Sequence, residues 1–178
     1  MKLGEVLDIE RERRGLSPTE AAARLGMGTD EYEALERGAT EAERWGPLLA
    51  EIAIGLGVPT SRLLADSGRA ADARPGEVGS LVRRHREQRG RSTREMAAAL
   101  GIASEDYSAI EAGGTPLETW GPLLLAFAEM VGEPVFNLFY PCGIALGALD
   151  ADVLRRERLS DVVSETGPTE GGTWQSSL

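Results

Sequence analysis

The sequence predicts an all-α protein made of two tandem copies of one five-helix unit, followed by a short C-terminal helical segment. Three observations predict it: a gapless internal repeat, helix punctuation that recurs at the same places in both copies, and a scarcity of aromatic residues. Residues 4–64 align with 79–139 at a constant offset of 75, and 26 of the 61 aligned pairs are identical. They include Arg11/Arg86, Glu12/Glu87, Arg14/Arg89, Gly15/Gly90, Ser17/Ser92, Glu20/Glu95, Leu25/Leu100, Gly26/Gly101, Tyr32/Tyr107, Glu36/Glu111 and Gly38/Gly113. The run WGPLL stands at 45–49 and again at 120–124. Self-similarity at a fixed period marks duplication and decides how the fold is read. With aromatics at 5 %, the core must come from Leu, Ala, Ile and Val, which suits small helices packed closely through Ala.

The elements follow in order. Val6–Arg14 and Leu81–Arg89 read as a first helix, closed by Gly15 and Gly90 where a left-handed cap is wanted. Ser17-Pro18-Thr19-Glu20 supplies an N-cap, a first-position proline and a glutamate at the third helical position, and Ser92-Thr93-Arg94-Glu95 stands in the same place. This second helix runs to Leu25 or Leu100 and stops at Gly26 or Gly101. A third starts at Thr29 or Ser104 and ends before Gly38 or Gly113. A fourth is expected to start at Pro47 or Pro122, with Leu48, Leu49, Ile52, Ala53 and Leu56 at helical spacing. A last short helix covers Thr60–Leu64 and Val135–Phe139.

The expected organisation is a first unit at 1–66, a linker at 67–76 rich in small residues and ending in Pro75–Gly76, a second unit at 77–141, and a C-terminal helix and flexible tail at 142–178. Hydrophobic residues at 42 % and charged residues at 27 % are ordinary for a globular chain of 178 residues. The one cysteine, Cys142, excludes an internal disulfide framework and a cysteine-ligated zinc site within one chain. No stretch approaches eighteen uninterrupted apolar residues, and the N-terminus lacks the apolar middle of a signal peptide, so a soluble cytoplasmic protein without membrane partners is expected. No phosphate-cradling glycine loop, paired-carboxylate signature or ligand cluster stands out; neither catalysis nor a cofactor or metal is expected.

The segments RRGLSPTEAAARLGM…YEALERG at 13–38 and QRGRSTREMAAALGI…YSAIEAG at 88–113 resemble the phage-repressor (Cro/Xre-type) helix-turn-helix family. The resemblance implies tandem lambda-repressor-like modules and double-stranded DNA as partner. In that family the second helix lies across the DNA backbone, and the third enters the major groove with its N-terminal residues at the base edges. It therefore implies DNA-binding roles for Ser17, Pro18, Thr19, Thr29, Asp30, Glu31 and Glu33 in the first copy. In the second copy it implies them for Ser92, Thr93, Arg94, Ser104, Glu105, Asp106 and Ser108.

Charge sets the two copies apart. The whole chain carries a net charge of −10, whereas DNA binders draw most of their affinity from neutralised phosphates and released counterions. Residues 1–66 hold 8 basic and 13 acidic residues, a net of −5. Asp and Glu at a helix N-terminus suit the helix dipole, but of the base edges they accept only from the cytosine amino group. The second copy concentrates Arg83, Arg84, Arg86, Arg89, Arg91 and Arg94 against Glu87 and Glu95 in RRHREQRGRSTRE. Such a patch can bind phosphate on an acidic protein because salt screens distant charges over about 10 Å at 0.1 M. It also reads as a solvated face with intrahelical Glu–Arg pairs.

Trp45 and Trp120 read as hydrophobic staples before the fourth helix, Tyr32 and Tyr107 as core residues, and His85 as an exposed side chain. Cys142 reads as a small apolar residue or a redox-sensitive thiol. Two functions stay open. One is a transcriptional regulator whose second module makes the DNA contact. The other is a protein-interaction module whose acidic first copy binds a basic partner or another regulator. The C-terminal stretch with Ile144, Leu146, Leu149, Val153 and Leu154 permits homodimerisation.

Overall fold

A computed structural model describes residues 1–64 and 74–144, and all regular structure in them is helical. The stretch assigned to dimerisation, apart from Ile144, and the C-terminal tail lie outside the described residues. Helices α1 (Leu3–Arg13), α2 (Pro18–Leu25), α3 (Thr29–Glu36), α4 (Ala42–Leu56) and α5 (Thr60–Leu63) are repeated by α6 (Glu77–Gln88), α7 (Thr93–Leu100), α8 (Ser104–Glu111), α9 (Leu117–Val131) and α10 (Val135–Phe139). A short 3-10 turn, Tyr140–Cys142, follows.

The punctuation read from the sequence sets α2 and α7. Ser17 and Ser92 cap them, and Gly26 and Gly101 end them at φ 71° and 66°, a left-handed conformation that glycine adopts without strain. The next amides, of Met27 and Ile102, reach back to Ala22 O and Ala97 O at 3.0 Å in both copies, which satisfies carbonyls the helix end would leave open.

The fourth helix departs from expectation. It begins at Ala42 and Leu117, five residues before the prolines, so Pro47 and Pro122 lie inside α4 and α9. Trp45 and Trp120 are accordingly helical residues and not staples preceding a helix. The reason is that a proline near a helix start forfeits only one backbone bond, which the packing of a 15-residue helix outweighs. Trp45 is buried, and the Arg44 guanidinium lies 5.2 Å from its ring centre. The first helices likewise start earlier than expected, at Leu3 and Glu77.

Within each copy three features lock the first helix onto the third and fourth. A carboxylate at the start of the fourth helix accepts from the first helix's free amides. Glu43 takes Leu3 N at 3.0 Å and Gly4 N at 2.6 Å; Glu118 takes Val78 N at 3.2 Å and Gly79 N at 2.7 Å. Gly4 and Gly79 permit a close backbone crossing: a Cβ would stand 2.3 Å from Glu36 O in one copy and 2.4 Å from Ile110 O in the other. Finally, Arg11 binds Glu36 and Arg86 binds Glu111 in nearly buried ion pairs between the first and third helices.

The apolar packing does not follow the repeat boundary. One core gathers Leu3, Val6 and Leu7 of α1, Ala21, Ala22 and Leu25 of α2, and Tyr32 and Leu35 of α3. It is completed mainly by Leu124, Phe127, Ala128 and Val131 of α9 and Phe136 and Phe139 of α10. The other gathers Val78 and Val82 of α6, Met96 and Ala97 of α7, and Tyr107 and Ile110 of α8. That one is completed by Leu49, Ile52, Ala53 and Leu56 of α4 and Leu63 and Leu64 around α5. Each three-helix head therefore folds over the long helix of the opposite copy, and α4 and α9 lie against each other between them. Gly46 makes room there for Leu3, Leu124 and Phe139, whereas a Cβ on Gly121 would stand in ordinary contact with Leu64, Leu49 and Val78. Burying a Leu or Phe side chain stabilises by about 1.5–3 kcal/mol. A head without the opposite long helix would forgo several such terms. Polar ties cross in the same sense: Arg14 donates to Gly132 O at 3.2 Å, and the terminal amine of Met1 to Pro141 O at 3.2 Å.

Candidate nucleic-acid interface

The candidate interface is the outer surface of the two heads, α1–α3 (head one) and α6–α8 (head two). In each, a Ser at the turn before the second helix is drawn into a capping box. Ser92 Oγ accepts from Glu95 N at 3.1 Å and donates to Glu95 Oε2 at 2.8 Å, while Ser92 N donates to the same carboxylate at 2.7 Å. Ser17 and Glu20 repeat this at 3.2, 2.7 and 2.8 Å. The bond from the backbone N–H, then that from the hydroxyl, holds each glutamate below its ordinary value. Both serines are exposed, but their hydroxyls already serve the helix.

The arginines of head two divide into two sets. Arg86 is an interior residue. Its Nε donates to Glu111 Oε1 at 2.5 Å, Nη2 to Oε2 at 2.9 Å and Nη1 to Arg91 O at 2.8 Å, with the side chain 12 % exposed. The bidentate bond to Glu111 raises its pKa above that of a free guanidinium. It braces the α6–α7 turn: three of its five N–H donors are committed there, and its charge is already met by Glu111. Arg11 plays the same part in head one, reaching Glu36, Leu16 O and Asp8.

The other arginines face solvent. Arg83 pairs with Glu87 at 2.9 Å, so part of the cluster is indeed a solvated face. Arg84 is exposed, and Arg89 donates to His85 O at 3.2 Å. Partial burial, then the neighbouring Arg91, lowers the Arg89 pKa. His85 is half-buried against it and less open than its sequence neighbours suggest. Arg91 and Arg94 stand exposed, with no ion-pair partner among the described residues. Together Arg89, Arg91 and Arg94, with Ser92 and Thr93 between them, wrap the turn into α7.

On the third helices the structure places Asp30, Glu31 and Glu33 of α3 in solvent with Thr29 half-buried, and Ser104, Glu105, Asp106 and Ser108 of α8 all in solvent. Glu33 is 3.7 Å from Arg37. Pro18 is half-buried and Thr19 exposed at the start of α2. Tyr32 and Tyr107 are fully buried, and burial, aided by Glu36 and Glu111, keeps both phenols protonated.

Other groups fall away from this surface. Cys142 donates to Leu138 O at 3.4 Å, and burial pushes its thiol up to about 11, which leaves little thiolate for redox chemistry near neutral pH. Among the described residues no group of His, Cys, Asp and Glu could hold a metal ion, and no single helix is long and apolar enough to cross a membrane. Sequence reasoning missed Gly4, Gly79, Glu43 and Glu118 as organisers of the heads. The available signal was their identity at the repeat offset, in positions where a surface helix requires neither residue.

Residues 2–65 match the family model of a helix-turn-helix domain. No curated protein and no solved structure matches the chain.

Proposed function

We propose that this protein, whose first third is a helix-turn-helix domain, is a DNA-binding transcriptional regulator in which α6–α8 form a second such head and make the DNA contact. The observation that carries the reading is the pair Arg91 and Arg94, exposed and in no close ion pair among the described residues, at the turn into α7. Two guanidiniums on a rigid turn match phosphate oxygens in geometry and charge, and Arg86 and Ser92 hold that turn in place. With the duplex backbone at that turn, the start of α8 faces the bases. Ser104 and Ser108 can donate or accept there, whereas Glu105 and Asp106 accept only from the cytosine amino group. Head one has Leu16 and Thr19 where head two has Arg91 and Arg94, and it exposes Asp30, Glu31 and Glu33. Those differences favour a basic protein segment as the partner of head one.

The test is a titration of the full chain against duplex DNA at about 50 mM and 200 mM salt, beside Arg91→Ala/Arg94→Ala. Each phosphate contact contributes about 0.9 to the slope of log affinity against log salt, so the variant should bind more weakly with a slope lower by about 2. Arg13→Ala/Arg24→Ala in head one should leave both unchanged. Absence of binding by the parent protein at the lower salt would refute the regulator reading and leave the acidic head as the surface to probe.

A further inference from the structure

The two cores are equivalent in position but opposite in where they place their bulk. In head two the buried residue at the middle of α7 is Met96, and its Cε lies 3.2 Å from where a Cβ on Gly55 of α4 would stand. The positions equivalent to these by the 75-residue offset are Ala21 in head one and Met130 on α9. Ala21 is buried in the other core, and Met130, half-buried, packs against that core. The next inward position along the long helix follows the same rule: Ile52 shares a core with Met96, and Phe127 shares one with Ala21. A large head residue meets a small helix residue in one core, and a small head residue meets large ones in the other.

The alternative pairings lack this match. A head two resting on α9 would bring Met96 against Met130 and Phe127, with no glycine to receive it. A head one resting on α4 would set Ala21 against Gly55 and Ile52 and leave a void. Interiors pack at crystal-like density, so overfilling and underfilling both destabilise. The same mismatch arises if either half pairs with its like half from a second chain.

We propose that head-to-long-helix pairing is heterotypic, set by this exchange of bulk at Ala21/Met96 and Gly55/Met130. Every molecule then presents one arginine-rich and one acidic head, and its DNA target is a lone asymmetric element. The last step rests on the DNA reading above; the pairing does not. Within one two-headed body, two arginine-rich heads would need head two on α9 twice, the overfilled arrangement. Each two-headed body is thereby kept from the internal symmetry that an inverted repeat demands.

The test uses the full chain. Unfolding midpoints are measured for Gly55→Met, Met96→Ala and the two combined. Each single substitution should lower the midpoint, and the double variant should recover most of the loss, because the new methionine fills the space the old one vacates. Shifts that simply add would overturn the pairing rule. Met96→Ala with Met130→Gly is the counterpart within one copy and should give additive losses; recovery there would overturn the rule as well. In parallel, the wild-type protein is used to enrich sites from random-sequence duplexes. A single non-palindromic element is expected, and an inverted repeat would overturn the asymmetric target. Enrichment of nothing would sink the DNA reading, and the target with it, while the midpoints still decide the pairing.

Discussion

Heads one and two keep the same scaffold and differ on the surface. The ion pair from first to third helix, the close glycine crossing, the carboxylate over the first helix's amides and the capping box recur with nearly the same distances. Solvent positions diverge: Asp8 against Arg83, Ile9 against Arg84, Leu16 against Arg91, Thr19 against Arg94, Glu33 against Ser108. The charge of a head is thus set independently of what folds it. A net charge of −10 is consequently a poor guide to what head two can bind, since exposed charges more than about 10 Å apart are largely screened at 0.1 M salt.

If the scaffold is common, removing a shared brace must hurt both heads alike. The largest effect belongs to the buried ion pairs. Arg11→Ala and Arg86→Ala each leave a carboxylate, Glu36 or Glu111, nearly buried without its partner, and each should cost about 3–5 kcal/mol in chemical denaturation. Because each head closes over the other copy's long helix, both variants should still unfold in one transition. A variant whose damaged head melts alone while the rest stays folded would break the picture of interlocked cores.

Next come the glycines, which sharpen the comparison because equivalent positions are not always equally tight. Gly4→Ala and Gly79→Ala push a methyl group into backbone oxygens and should each cost about 3 kcal/mol. At the WGPLL pair the outcomes should differ. A Cβ on Gly46 would meet Leu3 at 2.7 Å, so alanine there destabilises. On Gly121 the nearest atom stands at 3.7 Å, and alanine should gain up to about 1 kcal/mol from helix propensity. Equal midpoints for Gly46→Ala and Gly121→Ala would mean that the two halves cross more symmetrically than the structure has them.

How legible was this in the sequence? Helix order, the ends of α2 and α3 and their repeats, and the burial of Tyr32 and Tyr107 follow from local signals: caps, glycines and apolar spacing. Pro47 misled on the start of α4, because proline is read as a first helical residue while tertiary packing can carry it further inside. Arg86 looked like any other arginine of its cluster. Only the fold brings Glu111, 25 residues away, onto it. The exchange of long helices could not be read at all: α4 and α9 offer similar apolar stripes, and a stripe does not name its partner. The bulk difference at Gly55/Met130 was visible, but it acquires meaning only when the cores are known.

The smallest effect should be the most even. Ser17→Ala and Ser92→Ala each remove a capping hydroxyl and should each cost about 1 kcal/mol. Their acid response separates two contributions. Glu20 and Glu95 have folded-state pKa values below the ordinary carboxylate value of about 4.3. The stabilisation they confer is therefore complete above that value and fades as pH falls through the lowered one. The backbone N–H of residue 17 or 92 is the larger cause and survives substitution by alanine; only the hydroxyl is lost. Unfolding midpoints followed from pH 7 down to about 3 should thus fall in the variants as in the parent, by a smaller amount, and equally for the two heads. An acid response abolished in one variant and intact in the other would show that the two caps are built differently, which the matching distances at Ser17 and Ser92 argue against.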